Sequence, residues 1–411
     1  MNFFKRIYHW WWAFLSSAWY GFPSQQIFVI GFTGTKGKST TVALTNVILE
    51  RAGYKTAYLS SVEIKIGNKV TKNESGNTMP GHHQIQKFLA EAVTAGCHYA
   101  ILEVTSQGIV QHRHRFIEFD IVGMTGLHPE HIESHGSFEK YRDVKLSFFS
   151  LAAKQRHQPL FLINNDSSYR HAFAEAAKSG KKHQARILFY SRENVERDLQ
   201  NGSGGYKNEI LASDFNLENA AAAKAVATTQ GVPHDTSVEA LIAFKGLYGR
   251  MEFLRKKGRP DVLVDYAHTP GSFEAVYRYL REKIKPKRLI CVFGSYGEGR
   301  DKWKRPRLGE ISSQYCDEII LTNEGPGDED PQAIVEQIAQ GIIDKEMYRI
   351  ILDREEAVRY AIDLGEPGDV VALLGKGHET YIRVGKTKIP WNERGLVEQI
   401  FMETEDTSKS I

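Results

Sequence analysis

The residues of this chain best suited to chemistry gather in one stretch, Ile27-Phe28-Val29-Ile30-Gly31-Phe32-Thr33-Gly34-Thr35-Lys36-Gly37-Lys38-Ser39-Thr40-Thr41. An apolar run breaks into glycines, lysines and hydroxyls, and a helical pattern over 42–51 follows. Glycines let backbone N–H groups turn inward around phosphate oxygens, and the positive end of the following helix adds to the cradle. Lys38 is spaced to reach the outer phosphates of a nucleoside triphosphate, and Ser39 to put its hydroxyl on Mg²⁺. Phe32 stands where the strict phosphate-loop pattern has its first glycine, with Gly31 and Gly34 on either side. A glycine-rich turn without a ligand is the plain alternative. The strand–loop–helix context favours the nucleotide.

Glu103 closes a second apolar run, 98–103, and precedes Thr105-Ser106-Gln107-Gly108. A carboxylate at the C-terminal end of a strand, in the same sheet as a phosphate loop, is placed for Mg²⁺; the structural alternative is a helix cap. The stretch Thr125-Gly126-Leu127-His128-Pro129-Glu130-His131-Ile132-Glu133-Ser134-His135-Gly136 raises the question of zinc. Pro129 and Gly136 break the regular helix that would align its histidines, so one histidine serving a second Mg²⁺ or a phosphate fits better. Lys145 lies in a helical pattern among Tyr141, Val144, Leu146, Phe148 and Phe149, where a lysine ordinarily snorkels. Its surroundings alone give it no chemical role. In the second half, Gly249-Arg250-Met251-Glu252 precedes Asp265-Tyr266-Ala267-His268-Thr269-Pro270. Arg250 is a cation at a domain junction, suited to reach a phosphate on closure, and Asp265 ends a strand in position for ribose hydroxyls. The glycines of residues 294–299 are in the wrong order for a dinucleotide signature. Gly375-Lys376-Gly377-His378-Glu379 follows the last apolar strand, where an α/β sheet places its ligands.

Strand-like and helical runs alternate through residues 26–246, which predicts βαβ units and a mostly parallel sheet carrying the phosphate loop. Residues 64–71, turning at Gly67-Asn68, read as an inserted hairpin. A second, smaller Rossmann-like α/β series occupies residues 247–403. The polar tail 404–411 reads as disordered. A length of 411 residues suits this two-domain α/β class, and a net charge of +3 argues against nucleic acid as a partner. Cys97, Cys291 and Cys316 are odd in number, distant and flanked by apolar residues, so buried thiols are expected rather than a disulfide or a cysteine-based metal site. Residues 1–25 differ from the rest. Trp10, Trp11, Trp12 and Trp19 lie here, with Lys5 and Arg6 near the start. The pattern predicts a helical segment too short in apolar run to span a membrane. It either lies on a membrane surface through residues 1–24 or docks on protein.

Taken in order, the motifs Gly34 to Thr40, Glu103 to Gly108, His131 in its loop, Tyr141 to Lys145, Asn216 to Asn219, Gly249 to Glu252, Asp265 to Pro270 and Gly375 to Glu379 resemble those of the Mur ligases. These are the ATP-dependent amide-forming enzymes of peptidoglycan assembly, and the branch that adds the third residue of the stem peptide is the most similar. The resemblance implies that Gly34, Thr35, Gly37, Lys38, Ser39 and Thr40 bind ATP, with Ser39 and Glu103 on one Mg²⁺ and His131 on a second. Lys145 matches a lysine carried as a carbamate that ligates metal. Asn219 and Asp265 match nucleotide contacts, and Arg250 the phosphate-reaching arginine. Ser106 and Arg113 match positions holding a muramyl-peptide acceptor, and Gly375 and Glu379 those holding the incoming amino acid. The implied enzyme is cytoplasmic, with a peripheral place on the inner membrane face; the oligomeric state is left open. Three features depart from the pattern. The aromatic segment stands where the family has a UDP-gripping domain, which opens the way to a lipid-linked acceptor. Glu324-Gly325-Pro326-Gly327 replaces Asp-Asn-Pro-Arg, so the arginine for a second carboxylate is missing and diaminopimelate is disfavoured. Glu130 and Gly126 replace the usual Asp and Asn of the second metal loop. The rival readings are a folylpolyglutamate or poly-γ-glutamate ligase, a phosphate-loop ATPase or kinase with a regulatory second domain, and a non-catalytic scaffold.

Overall fold

A computed structural model describes residues 3–73, 77–128, 136–180, 184–200, 205–299 and 302–408. The chain divides into two compact units, Met1–Lys245 and Gly246–Ile411. The first is built on an eight-stranded sheet of β1 (Phe28–Thr33), β2 (Thr56–Leu59), β3 (Glu63–Ile66), β4 (Lys69–Lys72), β5 (Tyr99–Glu103), β6 (Ile121–Met124), β7 (Leu160–Asn164) and β8 (Arg186–Tyr190). The spatial order is β4-β3-β2-β5-β1-β6-β7-β8. All pairs are parallel except β2–β3 and β3–β4, the expected hairpin, which extends one edge of the sheet. Its outer strand is fully exposed, with Lys69 and Lys72 blunting the edge. The central strands read as continuous apolar runs because helices cover both faces, and Val29, Ile30 and Phe32 are fully buried.

Helix Lys38–Arg51 begins a turn earlier than the 42–51 pattern predicts. The hydroxyl run Ser39-Thr40-Thr41 reads as loop in sequence, yet Gly37, at φ 81°, reverses the chain and starts the helix directly. Helix Phe3–Trp19 docks on its own unit: Ala13, Ser16 and Ser17 are buried, Trp10 and Phe14 pack against Phe116, and His9 lies 5.5 Å from His82. Trp11, Trp12 and Trp19 stay exposed.

The second unit holds a six-stranded sheet of β9 (Glu252–Leu254), β10 (Asp261–Asp265), β11 (Leu289–Phe293), β12 (Glu318–Leu321), β13 (Tyr348–Ile350) and β14 (Val370–Leu374). The order is β13-β12-β11-β14-β10-β9, parallel but for the edge strand β9. A separate hairpin pairs β15 (Tyr381–Val384) with β16 (Thr387–Pro390). Strands of three residues, such as β9 and β13, are too short to show a period in sequence. Two expectations are corrected here. The final helix, Glu393–Ser408, runs past Thr404 into the segment read as a disordered tail. Cys291 and Cys316 form a disulfide, leaving Cys97 as the buried thiol. The two cysteines are 25 residues apart, but the pairing of β11 with β12 brings their Cα atoms to 6.2 Å, a proximity that spacing does not reveal.

A buried ion pair ties this unit together. Arg354 and Glu393, 1% and 0% exposed, meet at 2.7 Å, and Arg354 also donates to the Leu374 carbonyl at the end of β14. Removing one partner strands the other charge away from water, which costs far more than the net worth of the pair. Arg354→Met is expected to lower the unfolding free energy of this unit by about 3–5 kcal/mol, read by urea denaturation of the full chain. A loss below about 1 kcal/mol, the range of exposed pairs, would contradict this account.

Candidate active site

In the first unit the site grows from three adjacent strand ends. Phe32 of β1 pairs with Glu103 of β5, and Thr33 with Met124 of β6, so the loops that follow emerge side by side. The phosphate loop is braced from the β6 loop. Thr35 N donates to the Gly126 carbonyl at 2.8 Å, Thr125 Oγ1 to the Lys36 carbonyl at 2.6 Å, and Thr35 Oγ1 to the His128 carbonyl at 3.1 Å. Tyr141 completes the brace by donating to Thr35 Oγ1 at 3.1 Å. Asn164 holds the bracing loop in turn, donating to the Thr125 carbonyl and to Glu218. Burial pushes the Glu218 carboxyl up to about 7.

Lys38 folds its ammonium onto the Gly34 and Thr35 carbonyls at 2.9 and 3.0 Å. Ser39 Oγ lies 2.8 Å from Ser61 Oγ, and Ser61 N donates to Glu103 Oε1 at 2.7 Å. A hydroxyl and a buried carboxylate are thus linked through Ser61 at the mouth of the loop, oxygen donors of the kind Mg²⁺ takes together with phosphate and water. Thr40 is half-buried in the same first helical turn. Lys145, 1% exposed, donates to the Gly34 carbonyl at 2.8 Å, and its ammonium lies 4.8 Å from the Tyr141 ring centre. The helix places at the loop a residue whose own neighbours in sequence suggested only snorkelling. Asn219 accepts from Thr41 and donates to Asn216. It packs so closely on Gly37 that a Cβ there would fall 2.1 Å from its Oδ1. The structure therefore brings together Gly34, Thr35, Gly37, Lys38, Ser39, Glu103, Lys145 and Asn219. Ser61 was missed, since an isolated serine pair after a short strand carries no pattern.

Ser106 opens the short helix Ser106–Val110, capped by Thr105. Arg113 lies just beyond it, donating to Gln111 Oε1 at 2.6 Å and to the Met79 carbonyl. His131 lies outside the described residues.

In the second unit the candidate residues gather at the C-terminal edge of its sheet. Asp265 is buried, and its two oxygens accept the Met251 and Ala267 N–H groups at 2.7 Å each, so this carboxylate also braces the chain around it. Arg250 stacks 4.6 Å over the Tyr266 ring, and its Nε is buried without a hydrogen-bond partner among the described residues. Lys376, fully buried, donates to Glu379 Oε2 at 2.6 Å and to the Tyr381 carbonyl at 2.8 Å. Tyr266 and Tyr296 also donate to Glu379. Burial pushes Glu379 up to about 8 and Lys376 down to about 8. Gly375, at φ 100°, passes so close to Glu324 that a Cβ would stand 2.3 Å from its Oε2. Glu324 is 1% exposed, and its Oε1 accepts no hydrogen bond among the described residues.

The sequence matches two domain families, the Mur ligase middle domain over residues 32–227 and the Mur ligase glutamate ligase domain over residues 249–377. It is 36% identical to a UDP-N-acetylmuramyl-tripeptide synthetase of Roseiflexus sp. (strain RS-1), over 92% of this chain and 79% of that protein. It is 34% identical to a UDP-N-acetylmuramoyl-L-alanyl-D-glutamate–2,6-diaminopimelate ligase of Syntrophomonas wolfei, over 94% of this chain and 81% of the relative. A solved structure of a UDP-N-acetylmuramoyl-L-alanyl-D-glutamate–2,6-diaminopimelate ligase aligns at TM-score 0.60 and 25% identity over 92% of this chain and 79% of its own. Escherichia coli FolC in complex with DHPP and ADP aligns at TM-score 0.64 and 18% identity, over 88% and 89%, and shares the fold.

The link from Ser39 through Ser61 to Glu103 can be tested through the metal. Glu103→Gln keeps an oxygen for the Ser61 N–H but removes the charge. It is expected to weaken ATP binding with Mg²⁺ present by about 10–100-fold and to leave binding in EDTA unchanged. Equal affinities in both conditions would remove Glu103 from the metal site.

Proposed function

The chain belongs to the Mur ligase family of ATP-dependent carbon–nitrogen ligases, and on that premise we propose that it adds one amino acid to the carboxylate of a muramyl-peptide acceptor in peptidoglycan precursor synthesis. The observation that carries this reading is the hydrogen-bonded chain Ser39–Ser61–Glu103 at the mouth of a braced phosphate loop. The acceptor carboxylate attacks the γ-phosphorus of ATP, giving an acyl phosphate and ADP. The amine then attacks the acyl carbon through a tetrahedral intermediate, and phosphate leaves. Such transfers depend chiefly on positioning and charge neutralisation.

Gly34, Thr35, Gly37, Lys38 and Thr40 hold the triphosphate, with Asn219 and Asp265 toward the nucleoside and Arg250 as a phosphate-directed cation. Ser39 and Glu103 would hold one Mg²⁺ and His131 a second, ions that supply positive charge against the phosphates when bound. Lys145 works as a carbamate, formed when its neutral amine adds CO₂ and loses a proton, so that a buried cation becomes an anion with ligating oxygens. Ser106 and Arg113 hold the acceptor, and Gly375 and Glu379 the amino acid. Gly327 offers no cation to a second carboxylate, whereas Glu324 offers a buried acceptor oxygen without a partner among the described residues. Both features favour an amine-bearing side chain such as that of lysine over diaminopimelate. No described helix is long and apolar enough to cross a membrane. The enzyme works in the cytoplasm, where ATP is found, with the exposed rings of Trp11, Trp12 and Trp19 against the inner membrane face.

ADP release by the purified chain with Mg²⁺ and UDP-muramoyl dipeptide, across single amino acids, tests the reaction. Release is expected only when both substrates are present, with lysine exceeding diaminopimelate. Release without an amine donor would instead indicate a simple ATPase or kinase. Lys145→Ala is expected to abolish turnover, and bicarbonate to raise that of incompletely carbamylated wild type. Full activity in the variant would remove the carbamate.

A further inference from the structure

One group of side chains in the first unit is left unexplained by that reaction. The loop Gln111-His112-Arg113-His114-Arg115-Phe116 meets the first helix, which brings Lys5, Arg6 and His9, and the helix His82–Thr94, which brings His82. The rings of His9 and His82 stand 5.5 Å apart, and Trp10 and Phe14 wall the group against Phe116 at 5.2 and 5.4 Å. His82 lies 2.8 Å from the Gln111 carbonyl.

The charges here have one sign. Arg6 acts on both His112 and Arg115, and Arg113 on His9 and His82. Among the described residues, the charged groups named as acting on these histidines and on Arg113 and Arg115 are cations and other histidines, with no carboxylate among them. The first acidic residue in the chain is Glu50. Burial, followed by these cations, pushes His112 down to about 4. His9 Nδ1, His112 Nδ1 and Arg115 Nε are buried with no hydrogen-bond partner among the described residues. Half-buried cations without a counter-charge and polar nitrogens without partners are each costly, and one occupant relieves both costs. Two non-glycine residues of the loop, His112 at φ 57° and Phe116 at φ 59°, hold left-handed conformations that cost energy and persist where the surroundings impose them.

We propose that Arg6, His9, His82, His112 and Arg115 form a binding site for a phosphate or diphosphate group, assembled by the first helix beside the acceptor residues Ser106 and Arg113. A planar guanidinium and imidazole N–H groups suit phosphoryl oxygens, and a dianion supplies the charge that the protein does not. The placement rests on the reading that Ser106 and Arg113 receive the acceptor, whereas the site itself is tested by binding alone. Two sources offer this chemistry, a soluble phosphorylated acceptor and a lipid headgroup.

The test is equilibrium dialysis of labelled inorganic pyrophosphate against the full chain, with saturating AMP-PNP and Mg²⁺ filling the phosphate loop. Wild type is expected to bind one equivalent. Arg6→Gln/Arg115→Gln is expected to bind at least ten-fold more weakly, Arg6→Lys/Arg115→Lys to recover part of that loss, and AMP-PNP affinity to stay the same throughout. A parallel arm follows co-sedimentation with phosphatidylglycerol and phosphatidylcholine vesicles. Phosphatidylglycerol binding that pyrophosphate competes away and the double variant loses assigns the site to a headgroup. Pyrophosphate binding without vesicle binding assigns it to a soluble acceptor. Equal pyrophosphate affinity in wild type and Arg6→Gln/Arg115→Gln, or no binding beyond the loop, overturns the site whatever the ADP-release experiment shows.

Discussion

The pairing of β1 with β5 and β6 is the constraint on which the first unit's site depends. Both pairs are parallel, so three strands end on one edge and their loops leave together. Helix Lys38–Arg51 receives no side-chain cap at Gly37, and the N–H groups of its first turn face the loop's own concavity. The loop is therefore shaped from outside, by Thr125, His128 and Tyr141 gripping Thr35 and Lys36. The braces come from two segments, the loop after β6 and the helix that carries Tyr141, so the cradle depends on how strands and helices assemble around it. Glu103 shares this dependence: its place beside Ser39 follows from the register that sets it opposite Phe32.

The second unit pairs much of its buried charge, and among the described residues Glu324 departs from that pattern. Arg354 has Glu393, Arg305 has Glu329, and Lys376 has Glu379. Arg305 holds the Glu329 carboxyl down at about 2, and it also bonds the Tyr296 carbonyl, steadying the tyrosine that reaches Glu379. Glu324 sits amid these pairs with one oxygen unsatisfied among the described residues, on the sheet edge where parallel strands end. Leaving a buried acceptor unmatched costs roughly 1–3 kcal/mol, a cost that a ligand's N–H donors remove and a second ligand carboxylate would increase.

Much of this was legible beforehand, for identifiable reasons. The parallel sheets show as apolar runs at βαβ spacing, and the Gly67-Asn68 hairpin shows because its turn chemistry is local. The places of the glycine-rich loop and of Glu103 at the ends of their strands could be read from residue type and pattern. Lys145 could not, since its partner is the Gly34 carbonyl far away in sequence, and only the family resemblance singled it out. The Cys291–Cys316 bridge was hidden for the same reason: strand neighbours lie 25 residues apart. The helix start at Lys38 was displaced because serine and threonine compete for turns locally, while here phosphate-loop geometry places them inside a helix.

The first helix departs in part from the usual rule that a docked helix buries its large apolar residues, since Trp10 and Phe14 pack on Phe116 while its other large rings stay exposed. His9, Ala13, Ser16, Ser17 and Tyr20, spaced at helical periods, face the unit, while Tyr8, Trp11, Trp12, Leu15 and Trp19 face outward. Small inward residues let the helix approach closely, and that approach sets His9 against His82 and Arg6 within electrostatic reach of His112 and Arg115. Exchanging the faces would bury the rings, but it would carry His9 away from His82. The outward aromatic face and the inward cationic group are therefore two results of one choice of docking face.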